Sequence, residues 1–389
     1  VGEWGINQLM LLRRMLRNRC FYFRKIIMAN KNLTNAKKAK NDEFYTQYGD
    51  IQKEIEAYLE YDPDAFREKI VYCNCDDPFE SNFFRYFVLN FNKLRLKRII
   101  TTSYKPSPVA NTQLELFGDD KTLTKSKGRP KVTANKFIIN EVADIDGDGQ
   151  FNLKDVAKQL KANKHNEWTP LEGDGDFRSD ECVNLLKQSD IVVTNPPFSL
   201  FREYVKQLID HNKRFVIIGN MNAITYKEIF PLIKNNKLWL GNGFHAGNAY
   251  FSTPNTREFA SGVYDEKTGL VKFRNVCWFS NLDHGKRHQS LPLMTMEDNL
   301  KYSKHKEIKG KVSYEKYDNY DAIEVPFTDA IPNDYDGVMG VPISFLTKYN
   351  PEQFEIIKFR HGNDAKDLRL TNGTCPYFRI LIKHKKKIS

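Results

Sequence analysis

Two turns in this chain carry residue types suited to methylating an amino group. The first is Asn195-Pro196-Pro197-Phe198, which directly follows the apolar run Asp190 to Thr194 and precedes LFREYVKQLI. An amino group conjugated to a ring is a poor nucleophile, because its lone pair is delocalised. If the Asn195 side-chain oxygen and the Pro196 carbonyl each accept one N–H, the nitrogen becomes more tetrahedral and its lone pair turns toward the incoming methyl. Two prolines lock φ and lack an N–H, which stiffens the turn, and Phe198 offers a flat face on which an extruded base can stack. Asn-Pro pairs are also ordinary turn formers. This one, however, ends a wholly apolar run and opens a helical pattern, in a chain with a candidate donor site ahead of it.

That donor site is the second turn. Asp76, Asp77 and Pro78 follow the apolar run Lys69 to Cys75 and lead to Ser81-Asn82 at the start of a helical pattern. Carboxylates there can bind an ammonium, and the N–H groups of a helix N-terminus can bind a carboxylate. Those are the amino-acid groups of S-adenosylmethionine. Further on, in Gly175-Asp176-Phe177, Asp176 can accept the donor's adenine amino group and Phe177 can stack on its ring.

A third cluster, DIDGDGQFNLKD, matches a calcium-loop pattern with oxygens at Asp144, Asp146, Asp148, Asn152 and Asp155 and a glycine at Gly149. The segment before it reads as a strand where an entering helix is expected, and the last ligand is Asp where a longer Glu is usual. No metal is expected in the chemistry; a bound calcium would be a structural clip on an insertion.

Strands and helices must alternate to set the two turns on one edge. Phe44 to Gln47 leads into a helix through Ile51, Ile55 and Leu59, and Lys69 to Cys75 reads as a buried strand. Next come a helix with the stripe Phe83, Phe84, Phe87, Val88 and Phe91, and a strand at Arg98 to Thr102. The stretch from Lys105 to Val132 reads as an exposed loop, Lys136 to Val142 as a strand, Leu153 to Leu160 as a helix, and Ser179 as the cap of a helix through Val183 and Leu186. After the strand Asp190 to Thr194, Ser199 is expected to start a helix, Arg214 to Gly219 forms a strand and Thr225 to Ile233 a helix. This is an α/β pattern: a doubly wound, mostly parallel sheet, with ligands collected at the carboxyl ends of its strands. The periodicity fades after Leu240 and returns in a helix at Pro351 to Phe359 and a strand at Tyr377 to Ile382.

The resulting division is a catalytic domain over 28–240 with an insertion at about 105–165, an irregular target-recognition region over 241–334, and a C-terminal segment, 335–389, packing back on the core. The first 27 residues are apolar but broken by arginines, never reaching the run of about 18 apolar residues that spans a membrane. They read as a leader upstream of a start at Met28. The 60 Lys and Arg against 49 Asp and Glu give a net charge of +11, which favours an anionic partner. Double-stranded DNA is the first candidate, with Arg274, Trp278, Lys286, Arg287 and His288 as contacts. Six cysteines without CxxC spacing indicate neither a disulfide framework nor zinc, and suit a reducing cytoplasm.

Taken together, FYTQ, CDDP with SNFF, GDGDF, TNPPF and ITYKEIF occur in this order and resemble the amino-methyltransferases that carry an FxT motif ahead of the donor site. From Met28 onward the chain resembles the EcoRI-type adenine-specific DNA methyltransferase family, including YDNYDAI, DYDGVMGVP and NPEQFEIIKFR. That resemblance implies a methyltransferase fold and a cytoplasmic, monomeric modification enzyme of a prokaryotic or phage type II restriction-modification system. It further implies S-adenosyl-L-methionine as donor, no metal, and a cognate endonuclease that shares the target but need not bind the enzyme. It assigns Asn195, Pro196, Pro197 and Phe198 to catalysis, and Phe44, Thr46, Asp76, Asp77, Asp176 and Phe177 to the donor pocket. Two departures stand out: CDDPFESN has no glycine where a glycine-rich donor loop is usual, and Thr101 to Tyr104 lack the expected ribose-binding carboxylate. An amino-methyltransferase acting on RNA or on protein glutamine, or a non-catalytic DNA-binding protein, stays open on the residues alone.

Overall fold

The computed structural model describes residues 44–75, 81–104, 134–144, 155, 165–244, 248–253, 262–360 and 367–385. The first half of the fold runs β1 (Tyr45–Thr46), α1 (Tyr48–Tyr61), β2 (Ile70–Cys73), α2 (Asn82–Leu89), β3 (Arg98–Thr102), β4 (Asn135–Ile139), β5 (Glu167–Pro170), α3 (Asp180–Gln188), β6 (Ile191–Thr194), α4 (Phe201–Asp210) and β7 (Arg214–Asn220). It continues through α5 (Phe230–Lys234), β8 (Trp239–Leu240), β9 (Asn248–Ser252), β10 (Tyr264–Asp265), β11 (Leu270–Arg274), β12 (Val276–Ser280) and α6 (Met296–Tyr302). The last strands are β13 (Ile323–Glu324), β14 (Met339–Pro342), β15 (Phe354–Phe359) and β16 (Arg379–His384).

The central sheet has eight strands in the order β5-β4-β3-β2-β6-β7-β12-β8. Its middle is parallel: β3, β2, β6 and β7 run in one direction. At both flanks the neighbours are antiparallel, β4 against β3 and β5 on one side, β12 against β7 and β8 on the other. The expected mostly parallel sheet is therefore confined to the four central strands. Antiparallel neighbours need no crossover helix, so an insertion can add strands at either flank without disturbing the parallel centre.

Strand residues alternate between two helical layers. Val71, Cys73, Ile99, Val193 and Ile218 pack with Ile51, Ile55 and Tyr58 of α1 and Phe83 and Phe87 of α2. Tyr72, Ile100, Val192 and Ile217 face α3, α4 and α5 through Leu185, Tyr204, Leu208 and Ile233. A second sheet, β1-β9-β11-β10, stands beside the first, and a third, β13-β14-β16-β15, extends the α3–α5 core with Val341, Phe354, Ile356, Ile380 and Ile382.

Several expectations change. Residues 351–359 form no helix: Asn350 Oδ1 accepts the Glu352 and Gln353 N–H groups, and from Phe354 onward the chain pairs with β16, with a register shift between Ile356 and Lys358. The helix expected over Thr225–Ile233 is split into a 3₁₀ turn (Met221–Thr225) and α5, since Pro231 is tolerated only in a first turn. The region past Leu240 holds β9 to β12, and β12 lies inside the central sheet, reached from β11 through Asn275 at φ 61°. The loop 105–132, the helix Leu153–Leu160 and, apart from Asp144 and Asp155, the calcium-like loop lie outside the described residues. Among the described residues no helix is long and apolar enough to cross a membrane and no cluster of potential metal ligands forms.

Two buried polar groups tie α1 and the β8–β12 edge together. Glu54, 1% exposed, accepts N–H groups from Asn242 and Gly243 and the Tyr58 hydroxyl, and a Cβ at Gly241 would stand 2.0 Å from its carboxylate. His284, 2% exposed, donates from Nε2 to the Leu240 carbonyl, while its Nδ1 is buried without a partner among the described residues. Burial lowers the His284 pKa from 6.5 to about 4. The unfolded chain therefore binds this proton near pH 6.5 and the folded chain only near pH 4, so stability falls as pH drops across that window. The loss is expected to reach up to ~3 kcal/mol and to level off below it. Urea unfolding between pH 7 and 4 checks this, with His284→Gln expected to flatten that part of the profile.

Candidate active site

Asn74 joins the ends of β2 and β6. It follows β2, which ends as Cys75 enters the left-handed region at φ 65°. Its carbonyl accepts the hydroxyl of Thr194, the last residue of β6, and its side-chain oxygen accepts the hydroxyl of Tyr204 on α4. All three residues are buried, and burial pushes the Tyr204 phenol well up, keeping it a neutral donor. The ends of β2 and β6 are thus locked together at the carboxyl edge of the sheet.

Asn195 is half-buried directly beyond Thr194. Its Nδ2 donates to the Phe44 carbonyl at 2.8 Å, and its Oδ1 is buried without a partner among the described residues. A carbonyl can only accept, so the nitrogen must face Phe44 and the oxygen must face away. Pro196 is buried, and the Pro197 carbonyl accepts the Leu200 N–H at 2.9 Å, closing a 3₁₀ turn over Phe198–Leu200. The helix accordingly starts at Phe201, with Ser199 exposed inside the turn and capping nothing. Phe198 is partly buried against the α1–α2 side of the sheet.

Phe44 and Thr46 flank the same edge. The β1 strand pairs with β9, Thr46 opposite Phe251, and the Phe44 ring meets Phe273 edge-on at 4.7 Å and Phe251 at 6.3 Å. The Thr46 carbonyl accepts Asn82 Nδ2 at 2.7 Å, while the Thr46 hydroxyl is buried without a partner among the described residues. Asn82 opens α2, whose N-terminus is capped by Ser81 Oγ accepting the Phe83 and Phe84 N–H groups. Asp76 and Asp77 lie outside the described residues.

The Gly173–Phe177 loop lies on the end of β3. Gly175 has φ 81°, and a Cβ there would fall 2.0 Å from the Ser103 carbonyl oxygen, so only glycine permits the approach. Asp176 is engaged by the Arg178 guanidinium at 2.6 Å and by the Arg178 backbone N–H at 2.8 Å, contacts that hold its carboxyl below the usual range. Phe177, 5% exposed, packs edge-on against Tyr204 at 5.0 Å. The structure thus brings Phe44, Thr46, Asn82, Asn195 and, through Tyr204, Phe177 to one edge, with Asp176 turned to Arg178.

Of the five expected DNA contacts, two are buried and two more are half-buried and bonded to protein groups. Trp278 is fully buried in β12. Arg287 is buried over the Trp239 ring at 3.8 Å, bonded to Asp283 and Asn236. His288 sits between Asp283 and Glu352, and Lys286 donates to the Asn242 carbonyl. Arg274 alone of the five is exposed. Composition marked these residues as basic and aromatic, but weak periodicity hid the strand β12 that buries Trp278 and the 3₁₀ turn that carries Lys286, Arg287 and His288. Sequence reasoning in turn passed over Asn74 and Tyr204: Tyr204 falls on the apolar stripe of α4 and reads as core, and Asn74 sits inside the run Lys69 to Cys75, read as a buried strand.

A chain with a parallel α/β centre and a stiff Asn-Pro-Pro turn at a strand's carboxyl end has the layout expected of an enzyme that modifies an amino group. The family described as adenine-specific methyltransferase EcoRI matches residues 32–385, and the chain belongs to it. It is 46% identical to the type II methyltransferase M.EcoRI of Escherichia coli over 360 residues, covering 92% of this chain and 97% of that one. It is 33% identical to the type II methyltransferase M.MpnI of Mycoplasma pneumoniae over 376 residues, covering 91% and 98%. No solved structure matches the chain.

Removing the Tyr204 hydroxyl leaves the buried Asn74 oxygen unsatisfied. Tyr204→Phe is therefore expected to cost about 1–3 kcal/mol of stability, read as a lower urea midpoint at unchanged slope.

Proposed function

We propose that this adenine-specific methyltransferase modifies the N6 amino group of an adenine extruded from duplex DNA, at a specific site, as the modification partner in a type II restriction-modification system. The observation that carries the reading is Asn195: an amide with its nitrogen committed to Phe44 and its oxygen buried and unpaired among the described residues. A buried acceptor left empty costs about 1–3 kcal/mol, which a substrate N–H would recover. Asn195 Oδ1 accepts one N–H of the adenine amine, the Pro196 carbonyl accepts the other, and Phe198 supports the base. Together they draw the nitrogen toward tetrahedral geometry without removing a proton before transfer. The similarity to two type II methyltransferases, M.EcoRI and M.MpnI, supports the restriction-modification setting.

S-adenosylmethionine fits the polar groups on the donor side. The unpaired Thr46 hydroxyl lies beside the N-terminus of α2, and the Thr101 hydroxyl, at the end of β3, is likewise buried without a partner among the described residues. When bound, the donor supplies a methyl on a sulfonium, already a good leaving group. Phe44, Thr46, Asp76, Asp77, Asp176 and Phe177 would border it, and the rigid edge holds acceptor and donor in line. The enzyme acts as a cytoplasmic monomer and uses no metal.

Asn195→Ala is expected to lower turnover by about a hundredfold or more while leaving DNA binding within a few-fold of the parent. Transfer of labelled methyl from S-adenosylmethionine to DNA, with the product nucleoside identified as N6-methyladenine, checks both reaction and residue. Retained turnover in the alanine variant would overturn the assignment.

A further inference from the structure

The free edge of β1 is gripped twice. The Phe44 carbonyl accepts Asn195 Nδ2 at 2.8 Å, and the Thr46 carbonyl accepts Asn82 Nδ2 at 2.7 Å. Backbone groups two residues apart on an extended strand point the same way, so both carbonyls face the central sheet while β9 covers the opposite edge of β1. Asn82 belongs to the helix after the donor turn and Asn195 to the turn that would hold the amine. We propose that the β1 edge is a spacing gauge for methyl transfer, in which the Phe44 carbonyl sets which atom of the Asn195 amide meets the substrate and Phe273 is the positioning residue that holds Phe44 in place.

Phe273 is far from both turns in sequence and lies on β11, in a region otherwise read as target recognition. Its ring is 4.7 Å from Phe44 and 5.5 Å from Phe251, at 73° and 77°, an edge-on cluster that pins the start of β1 onto the second sheet. No side chain of Phe44 is needed to bind substrate for this role; the ring anchors the strand and the carbonyl does the orienting. Unbraced, the Asn195 amide could turn its NH2 toward an amine that has only N–H groups to offer, and acceptance would be lost.

This inference rests on the Asn195 reading above, and the test separates the two. A carboxylate is a stronger acceptor of N–H than an amide, so without the Phe44 contact Asn195→Asp would be at least as active as the parent. With it, a carboxylate oxygen faces a carbonyl oxygen and the side chain is displaced. Asn195→Asp is thus expected to lose about tenfold to a hundredfold in kcat, with DNA and donor binding retained. Phe273→Leu is expected to lower kcat about three- to tenfold at unchanged KM for both substrates, with Phe273→Tyr restoring it. An active Asn195→Ala overturns the site reading and the gauge together. An inactive Asn195→Ala beside a fully active Asn195→Asp overturns the gauge alone. A Phe273→Leu variant that melts earlier but keeps its kcat removes Phe273 from the argument.

Discussion

A planar amide can present either of two atoms of nearly equal shape and opposite hydrogen-bonding sense, and one contact in this structure decides between them. The Phe44 carbonyl takes the Asn195 nitrogen, which leaves the oxygen buried and unpaired at the carboxyl edge of the sheet. Everything around that contact serves to keep it. The two prolines remove freedom from the turn, Thr194 and Tyr204 fasten it to Asn74, and β9 holds β1 from behind. An acceptor stationed this way pays no reorganisation when a partner arrives, and that is where enzymes gain most from polar groups.

The parallel centre of the sheet follows from the same requirement. The proposed donor and acceptor turns can meet only if their strands end on one edge, and β2 beside β6 is the shortest arrangement that does so. The antiparallel flanks carry no such duty. They admit β4 and β5 on one side and β12 and β8 on the other, and they close the edges with short strands. The chain therefore keeps a strict geometry over four strands and a permissive one elsewhere.

The sequence disclosed that strict part well. Arg98 to Thr102 appears as a strand with the expected bounds, the Ser81 and Ser179 caps do what their positions imply, and the NPPF turn sits where β6 ends. In each case one strong local signal, a capping hydroxyl or an uninterrupted β-branched run, decides the structure. Where signals compete the reading slipped. The segment after Asn350 has helical spacing, yet an Asn side chain captures the first N–H groups and the strand β16 supplies a pairing partner from about thirty residues on. Trp278 and Arg287 look like surface ligands by type, and only their neighbours reveal a buried strand and an internal ion pair. Asn74 and Asn82 act through long-range contacts, for which no local pattern exists.

The charge argument shows the same division. A net charge of +11 is a property of the whole chain and bears on its partner; it says little about which cations are available. Arg287, Lys286 and His288 are spent on Asp283, Asn242 and Glu352, and Arg379 is spent on Glu324 within the third sheet. A buried guanidinium held by a carboxylate cannot also meet a phosphate without leaving that carboxylate unpaired. Among the described residues, a phosphate contact would fall to exposed cations such as Arg274, Lys306 and Lys309, whose side chains reach solvent. The anionic partner was legible from composition, whereas the surface that meets it is set by which basic residues the fold leaves unspent.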